Sequence, residues 1–125
     1  MPGQTCLVAV IDDDVSVRGA LFRLFRTAGL SVSLFATAEE YLANRDDLNA
    51  NCLVVDVRLP GMSGLELLEQ LQRELPRPAL VITAHEDERV RTRALRAGAI
   101  GVFRKPCDNR QLLAAVYRAL DLSQV

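Results

Sequence analysis

An excess of charge of either sign is missing from this chain. Fifteen residues are lysine or arginine and sixteen are aspartate or glutamate, a formal net charge of -1 at pH 7. Nothing in that balance draws the chain as a whole to nucleic acid or to a membrane surface. Long apolar runs are also missing: no stretch approaches spanning length, and Met1–Thr5 shows no signal peptide. Cysteine is scarce and odd in number, and Cys6, Cys52 and Cys107 include no pair at a metal-ligand spacing such as CxxC. They read as reduced thiols in a cytoplasmic protein, two of them opening apolar runs as small hydrophobes. Lysine is scarcer still. Lys105 is the only one, and every other basic residue is arginine. A compact ammonium on a flexible stem can reach a phosphoryl oxygen in a way that a planar guanidinium does not reproduce.

What remains is an ordinary globular composition, half apolar and a quarter charged, in 125 residues. That length makes one domain with a real core. Four short apolar runs, rich in valine and isoleucine, read as buried parallel strands. LVAVI leads into Asp12 and Asp13, CLVV into Asp56, ALVI into Thr83, and GVF through Arg104 into Lys105 and Pro106. In an open α/β sheet the chemistry sits just beyond the carboxyl ends of the strands. The pattern therefore gathers three carboxylates, a hydroxyl and an ammonium at one sheet edge.

Helical segments alternate with these runs. Asp14 is placed to cap a helix whose stripe is Val17, Leu21, Leu24, Phe25 and Ala28, with Gly29 as its stop. Val32, Leu34 and Ala36 suggest a further strand. Thr37 with Glu40 makes a capping box for a short helix carrying Tyr41 and Leu42, and Asn44–Asn51 reads as a loop. The loop RLPGMSG follows the third strand, and Ser63 with Glu66 opens the next helix, ended by Pro76 and Pro78. A charged helix is expected over His85–Ala97, closed by Gly98, and a last one after Asp108 and Gln111. The result is an α/β chain of (βα)5 form, a doubly wound parallel five-stranded sheet with helices on both faces.

The strand-end residues define a chemistry. Asp12, Asp13 and Asp56 are unfavourable together unless a cation joins them, and Mg2+ suits such a set, with Mn2+ as a substitute. Asp56, alone among apolar residues, can act as a nucleophile that forms an acyl phosphate. Thr83 could hydrogen-bond one phosphoryl oxygen and Lys105 neutralise another.

The motifs VIDDD, VVDVRLPGMSG, VITAH and FRKP occur in the order found in receiver domains of two-component response regulators, and over nearly its whole length the chain resembles that family. The resemblance implies the flavodoxin-like, CheY-like strand order 2-1-3-4-5. It implies Asp56 as the phosphorylated residue, Asp13 as a direct metal ligand, Asp12 as the acid holding metal-bound water, and the backbone carbonyl of Arg58 as a third protein ligand. Thr83 resembles the switch hydroxyl, Ala84 the small residue beside it, and Lys105 the phosphate-binding lysine, with a cis bond to Pro106. Arg58 and His85, two positions beyond Asp56 and Thr83, are expected to tune the lifetime of the phosphoryl group.

One position departs from the family pattern. The aromatic residue usual three places before the lysine is Val102 here, and the neighbouring Phe103 should face the other way. DVRLPGMSGLELL and RAGAIGVFRKP are most similar to receivers of the FixJ kind, which precede a helix-turn-helix output domain. The implied partners are a sensor histidine kinase and a second copy of the chain, met on phosphorylation through the fourth helix, fifth strand and last helix. DNA would be reached only through an output domain following Val125, and no membrane is involved. The alternative is a phosphorelay or protein-interaction receiver without DNA-binding output. A haloacid-dehalogenase-like phosphatase would carry its two acids as DxD after the first strand. A flavodoxin-like nucleotide binder would need a phosphate loop where DDDVSVR stands. A receiver that has lost phosphorylation would not be expected to keep all the acids, Thr83 and Lys105.

Overall fold

In the computed structural model, residues 6–85 and 87–123 are described. The expectations for Met1–Thr5 and for the last two residues of the chain lie outside the described residues. Five strands and five helices alternate: β1 (Leu7–Ile11), α1 (Val15–Thr27), β2 (Ser31–Phe35), α2 (Ala38–Leu48), β3 (Cys52–Asp56), α3 (Gly64–Glu74), β4 (Ala79–Thr83), α4 (Glu88–Arg96), β5 (Ala99–Arg104) and α5 (Asn109–Ser123). All strand pairs are parallel, in the order β2-β1-β3-β4-β5. Both halves of the expected architecture, the (βα)5 alternation and the 2-1-3-4-5 order, are present.

Period-two alternation divides the core. Ala9 and Ile11, Leu53 and Val55, Ala79 and Val81 face α2, α3 and α4, where Tyr41, Leu67, Leu71 and Ala94 complete one cluster. Val8 and Val10, Cys52 and Val54, Leu80 and Ile82 face α1 and α5, packing on Leu21, Phe25, Leu112 and Val116. Both faces of β1, β3 and β4 are covered, which is why these strands read as unbroken apolar runs.

The caps act where the side chains suggest. Asp14 accepts from the N–H groups of Ser16 and Val17. Thr37 with Glu40 and Ser63 with Glu66 form complete capping boxes. Asp108 accepts from Arg110 and Gln111. Gly29 and Gly98 take positive φ, 86° and 99°, just past α1 and α4.

Two helix boundaries differ from expectation. The segment from Asn44, expected as a loop, continues α2 to Leu48. Asp46 and Asp47 face outward, while Leu48 packs on the core and Arg45 pairs with Glu74 of α3 at 2.6 Å. Tertiary contact holds a turn whose own pattern is weak. α4 starts at Glu88 rather than His85, because Asp87 is its N-cap and accepts from Val90 N.

β5 holds one irregularity. Its register against β4 shifts between Ala79 and Leu80, pairing Ala79 with Ala99 but Leu80 with Gly101. Strict alternation from Ala99 would place Phe103 on the Ala99 side. The shift instead sends Val102 to the α2–α4 side and Phe103 to the α1–α5 side. A Cβ on Gly101 would stand 3.1 Å from the Phe103 ring, so the ring occupies space that glycine leaves open.

Candidate functional site

The carboxyl ends of β1, β3, β4 and β5 meet at one edge of the sheet. Asp12 follows β1 directly and has no exposed surface, and Asp56, the last residue of β3, is 6% exposed. The Lys105 ammonium, just past β5, joins them: Nζ lies 2.7 Å from Asp12 Oδ2 and 3.2 Å from Asp56 Oδ2. Asp13 is exposed, and its carboxylate completes a set with Asp12 and Asp56 whose ligand atoms lie within 4.8 Å of one another.

Hydrogen bonds to the backbone fix the two buried acids. Asp12 N donates to Phe35 O at 3.0 Å, and Asp12 Oδ1 accepts from Asp14 N at 2.9 Å. Arg18, one turn into α1, donates to the Asp12 carbonyl oxygen at 2.7 Å. Asp56 Oδ1 accepts from Arg58 N at 3.4 Å. The chain then returns through Gly64, whose N–H donates to Val57 O at 2.9 Å. A Cβ on Gly64 would lie 2.0 Å from the Asp56 carbonyl oxygen. Only glycine allows α3 to start this close to the end of β3.

Thr83 is buried at the end of β4, and its Oγ1 accepts from His85 N at 3.2 Å. The hydroxyl proton is left to donate elsewhere. Lys105 N donates to Thr83 O at 2.8 Å, tying the ends of β4 and β5 together beside the acids. Ala84 and His85 are exposed beyond the strand, Val102 is buried under it, and the Lys105–Pro106 bond is cis.

The electrostatics follow from burial and charge. Burial, then the negative charge of Asp12, raises the Asp56 carboxyl above the ordinary aspartate range, and Lys105 opposes the rise. For Lys105, burial pulls the ammonium down. The hydrogen bond and charge of Asp12, with those of Asp56, outweigh that pull and leave its pKa raised. Cys52 lies apart from this edge, and burial pushes its thiol up to about 12, as befits an inert core residue.

The expected site residues lie at or beside this edge except Val102, which sits within β5 opposite Val81. Three contributors were not anticipated: the Arg18 contact to Asp12, the close approach at Gly64, and a carboxylate from α2. Glu39 Oε2 accepts from Met62 N at 2.9 Å in the loop after Asp56. Gly64 had a signal, the final glycine of RLPGMSG, which turn chemistry alone explained too easily.

Residues 8–117 match the response regulator receiver domain family. The chain belongs to that family. This receiver is 40% identical to nodulation protein W of Bradyrhizobium diazoefficiens over 92% of its own length and 51% of the relative's. It is 39% identical to transcriptional regulatory protein FixJ of Azorhizobium caulinodans, over 93% of this chain and 56% of that one. The receiver thus spans about half the length of the curated relatives it matches. Among solved structures it is similar to response regulator StyR, with TM-score 0.89 and 43% identity over 97% of this chain and 62% of that one. No described helix is long and apolar enough to cross a membrane.

Proposed function

We propose that this receiver accepts a phosphoryl group on Asp56 from the phosphohistidine of a sensor histidine kinase. The observation that supports this most is the Lys105 ammonium held between two buried carboxylates, one of them ending a strand with its pKa raised. An Asp56 carboxylate oxygen forms the new O–P bond as the N–P bond of the donor breaks, and the imidazole departs with that electron pair. Thr83 donates its hydroxyl to one phosphoryl oxygen and Lys105 neutralises another. Arg58 and His85 flank the acyl phosphate and set the approach of the water that removes it.

The donor set fits a hard divalent cation: three carboxylates with ligand atoms within 4.8 Å, two of them buried. Asp13 and Asp56 would hold Mg2+ directly, with the Arg58 carbonyl as third protein ligand and Asp12 acting through water. Once bound, the ion offsets repulsion between the carboxylate and the incoming phosphoryl group. Mn2+ would serve in its place. The protein is a signalling domain that assists its own phosphorylation and dephosphorylation.

For output, residues 1–125 form a receiver unit coupled to transcriptional control through a DNA-binding domain; the similarity to a transcriptional regulatory protein, FixJ, supports the transcriptional part of this reading. Phosphorylation draws Thr83 inward and alters the α4–β5–α5 face, where a second copy docks. The location is the cytoplasm. Intact mass after incubation with Mg2+ and acetyl phosphate tests the site: wild type gains one phosphoryl group and Asp56→Asn gains none. Equal labelling of the two refutes the assignment. Sedimentation with and without beryllofluoride, on wild type and Thr83→Ala, tests the output; unchanged association in wild type refutes the face.

A further inference from the structure

The loop between Asp56 and α3 carries the Arg58 backbone, and it is held from outside by a residue with no place in the chemistry above. Glu39 and Glu40 are adjacent in the first turn of α2 but act in different directions. Glu40 completes the capping box, its Oε1 accepting from Ala36 and Thr37. Glu39 crosses to the loop, 23 residues away in sequence, and accepts from Met62 N at 2.9 Å. Gly61 takes φ 73°, and a Cβ there would lie 2.6 Å from Glu39 Oε2 and 3.3 Å from both Oε1 and Cδ. The carboxylate therefore rests against the turn itself, on space that only a glycine leaves open. The Met62 N–H in turn holds the Glu39 carboxyl below its usual range. At the opposite end of α3, Arg45 of the same helix α2 pairs with Glu74. α2 thus braces both the loop that leads into α3 and the end of α3.

We infer that Glu39 is a positioning residue for the phosphorylation site: seated on the Gly61–Met62 turn, it sets the path of the loop that presents the Arg58 backbone to Asp56. The inference rests on the metal-dependent reading of the Asp12, Asp13 and Asp56 site. Besides the Ser63–Glu66 capping bond and the packing of Leu59 and Met62 on the core, three hydrogen bonds bear on the loop's path. Arg58 N reaches Asp56 Oδ1, Gly64 N reaches Val57 O, and Met62 N reaches Glu39. The first two lie within the segment. The third comes from another element and fixes the tip relative to the body of the domain. With that anchor gone, the tip relaxes about the Gly61 turn and the Arg58 carbonyl and N–H lose their fixed placement. Metal affinity and the rate of phosphorylation both respond to such placement.

The test compares Mg2+ binding by calorimetry, the Arg58 and Met62 amide resonances, and the acetyl phosphate labelling rate in wild type, Glu39→Ala, Glu39→Gln and Arg45→Ala. Glu39→Ala is expected to bind Mg2+ about three- to tenfold more weakly, the scale of one net hydrogen bond. Both amide resonances should shift in the metal-free protein. Glu39→Gln keeps an acceptor and should recover at least half of the lost affinity. Arg45→Ala breaks the far brace and should lower the melting temperature while Mg2+ affinity stays at the wild-type value. Wild-type Mg2+ affinity and labelling rate in Glu39→Ala overturn the inference, as does an equal affinity loss in Arg45→Ala. If wild type itself binds no Mg2+, the metal-site reading fails and this inference falls with it.

Discussion

Replacing Asp56 by asparagine should make the metal-free protein more stable. Asp56 is 6% exposed and carries a negative charge beside that of Asp12. At an effective dielectric of about 20, Lys105 at 3.2 Å contributes ~5 kcal/mol of attraction, and Asp12, no more than 4.8 Å away, returns ~3.5 kcal/mol of repulsion. The remaining ~1.5 kcal/mol of attraction must be set against several kcal/mol for burying a carboxylate. Burial wins, which is the direction the raised Asp56 pKa records. With ~3 kcal/mol taken as the burial cost, asparagine gains about 1.5 kcal/mol. For a domain of this size that raises the melting temperature by roughly 4–8 °C.

The assay is thermal unfolding of wild type and Asp56→Asn in EDTA at pH 7, repeated at lower pH and with Mg2+. The charged Asp56 destabilises the native state above its folded pKa. The penalty fades as pH falls through that raised value and is gone below the unfolded value near 3.8. The gap between the two proteins should therefore narrow on acidification. Magnesium narrows the gap: at ten times its dissociation constant it adds ~1.4 kcal/mol to wild type and less to the variant, which lacks one ligand. A melting temperature for Asp56→Asn equal to or below wild type in EDTA refutes the balance, as does a gap that widens on acidification.

Lys105→Met should cost about 3 kcal/mol, because Asp12 is left buried and unpaired, and adding Asp12→Asn should recover most of it in chemical denaturation. The raised Lys105 pKa means that this contribution is whole below its ordinary 10.5 and is lost only as pH rises through the folded value, so wild type and variant should converge only in strong alkali. Gly64→Ala forces a methyl to within 2.0 Å of the Asp56 carbonyl oxygen, backbone that cannot step aside, and should destabilise by about 3 kcal/mol or more while slowing acetyl phosphate labelling. Asp14→Ala removes the acceptor for two α1 N–H groups and should cost about 1 kcal/mol of stability, read from a lowered denaturant midpoint, with labelling of Asp56 retained.

The sheet and its edge were legible because β1, β3 and β4 are buried on both faces and, like β5, run out into polar residues at one edge. An apolar run that ends at Asp12, Asp56, Thr83 or Lys105 marks both a strand and the point where it leaves the core. What stayed hidden depends on contacts between elements. The second half of α2 looks like loop until Arg45 meets Glu74. Glu39 looks like a helix-start acid with no task of its own beside the capping Glu40, until the fold brings the Gly61–Met62 turn beneath it. Neither pairing leaves a local pattern, since partners 23 and 29 residues apart need the tertiary fold to meet.

β5 shows where local reasoning reaches its limit. Alternation correctly separates Val102 from Phe103, but it cannot say which face each one takes, and the register shift beside Gly101 decides that. The outcome bears on how a phosphorylated Asp56 would reach the α4–β5–α5 face. The aromatic ring of β5 lies over Gly101 on the α1–α5 side, and the position on the α4 side is filled by valine, which has no ring to turn. In the proposed function the lever must then be backbone. Lys105 N and Thr83 O are already joined at 2.8 Å, and in that proposal both side chains act at the phosphoryl group. A Thr83 drawn inward pulls the end of β5 with it, so the signal can pass along the strand without a rotamer change in its middle.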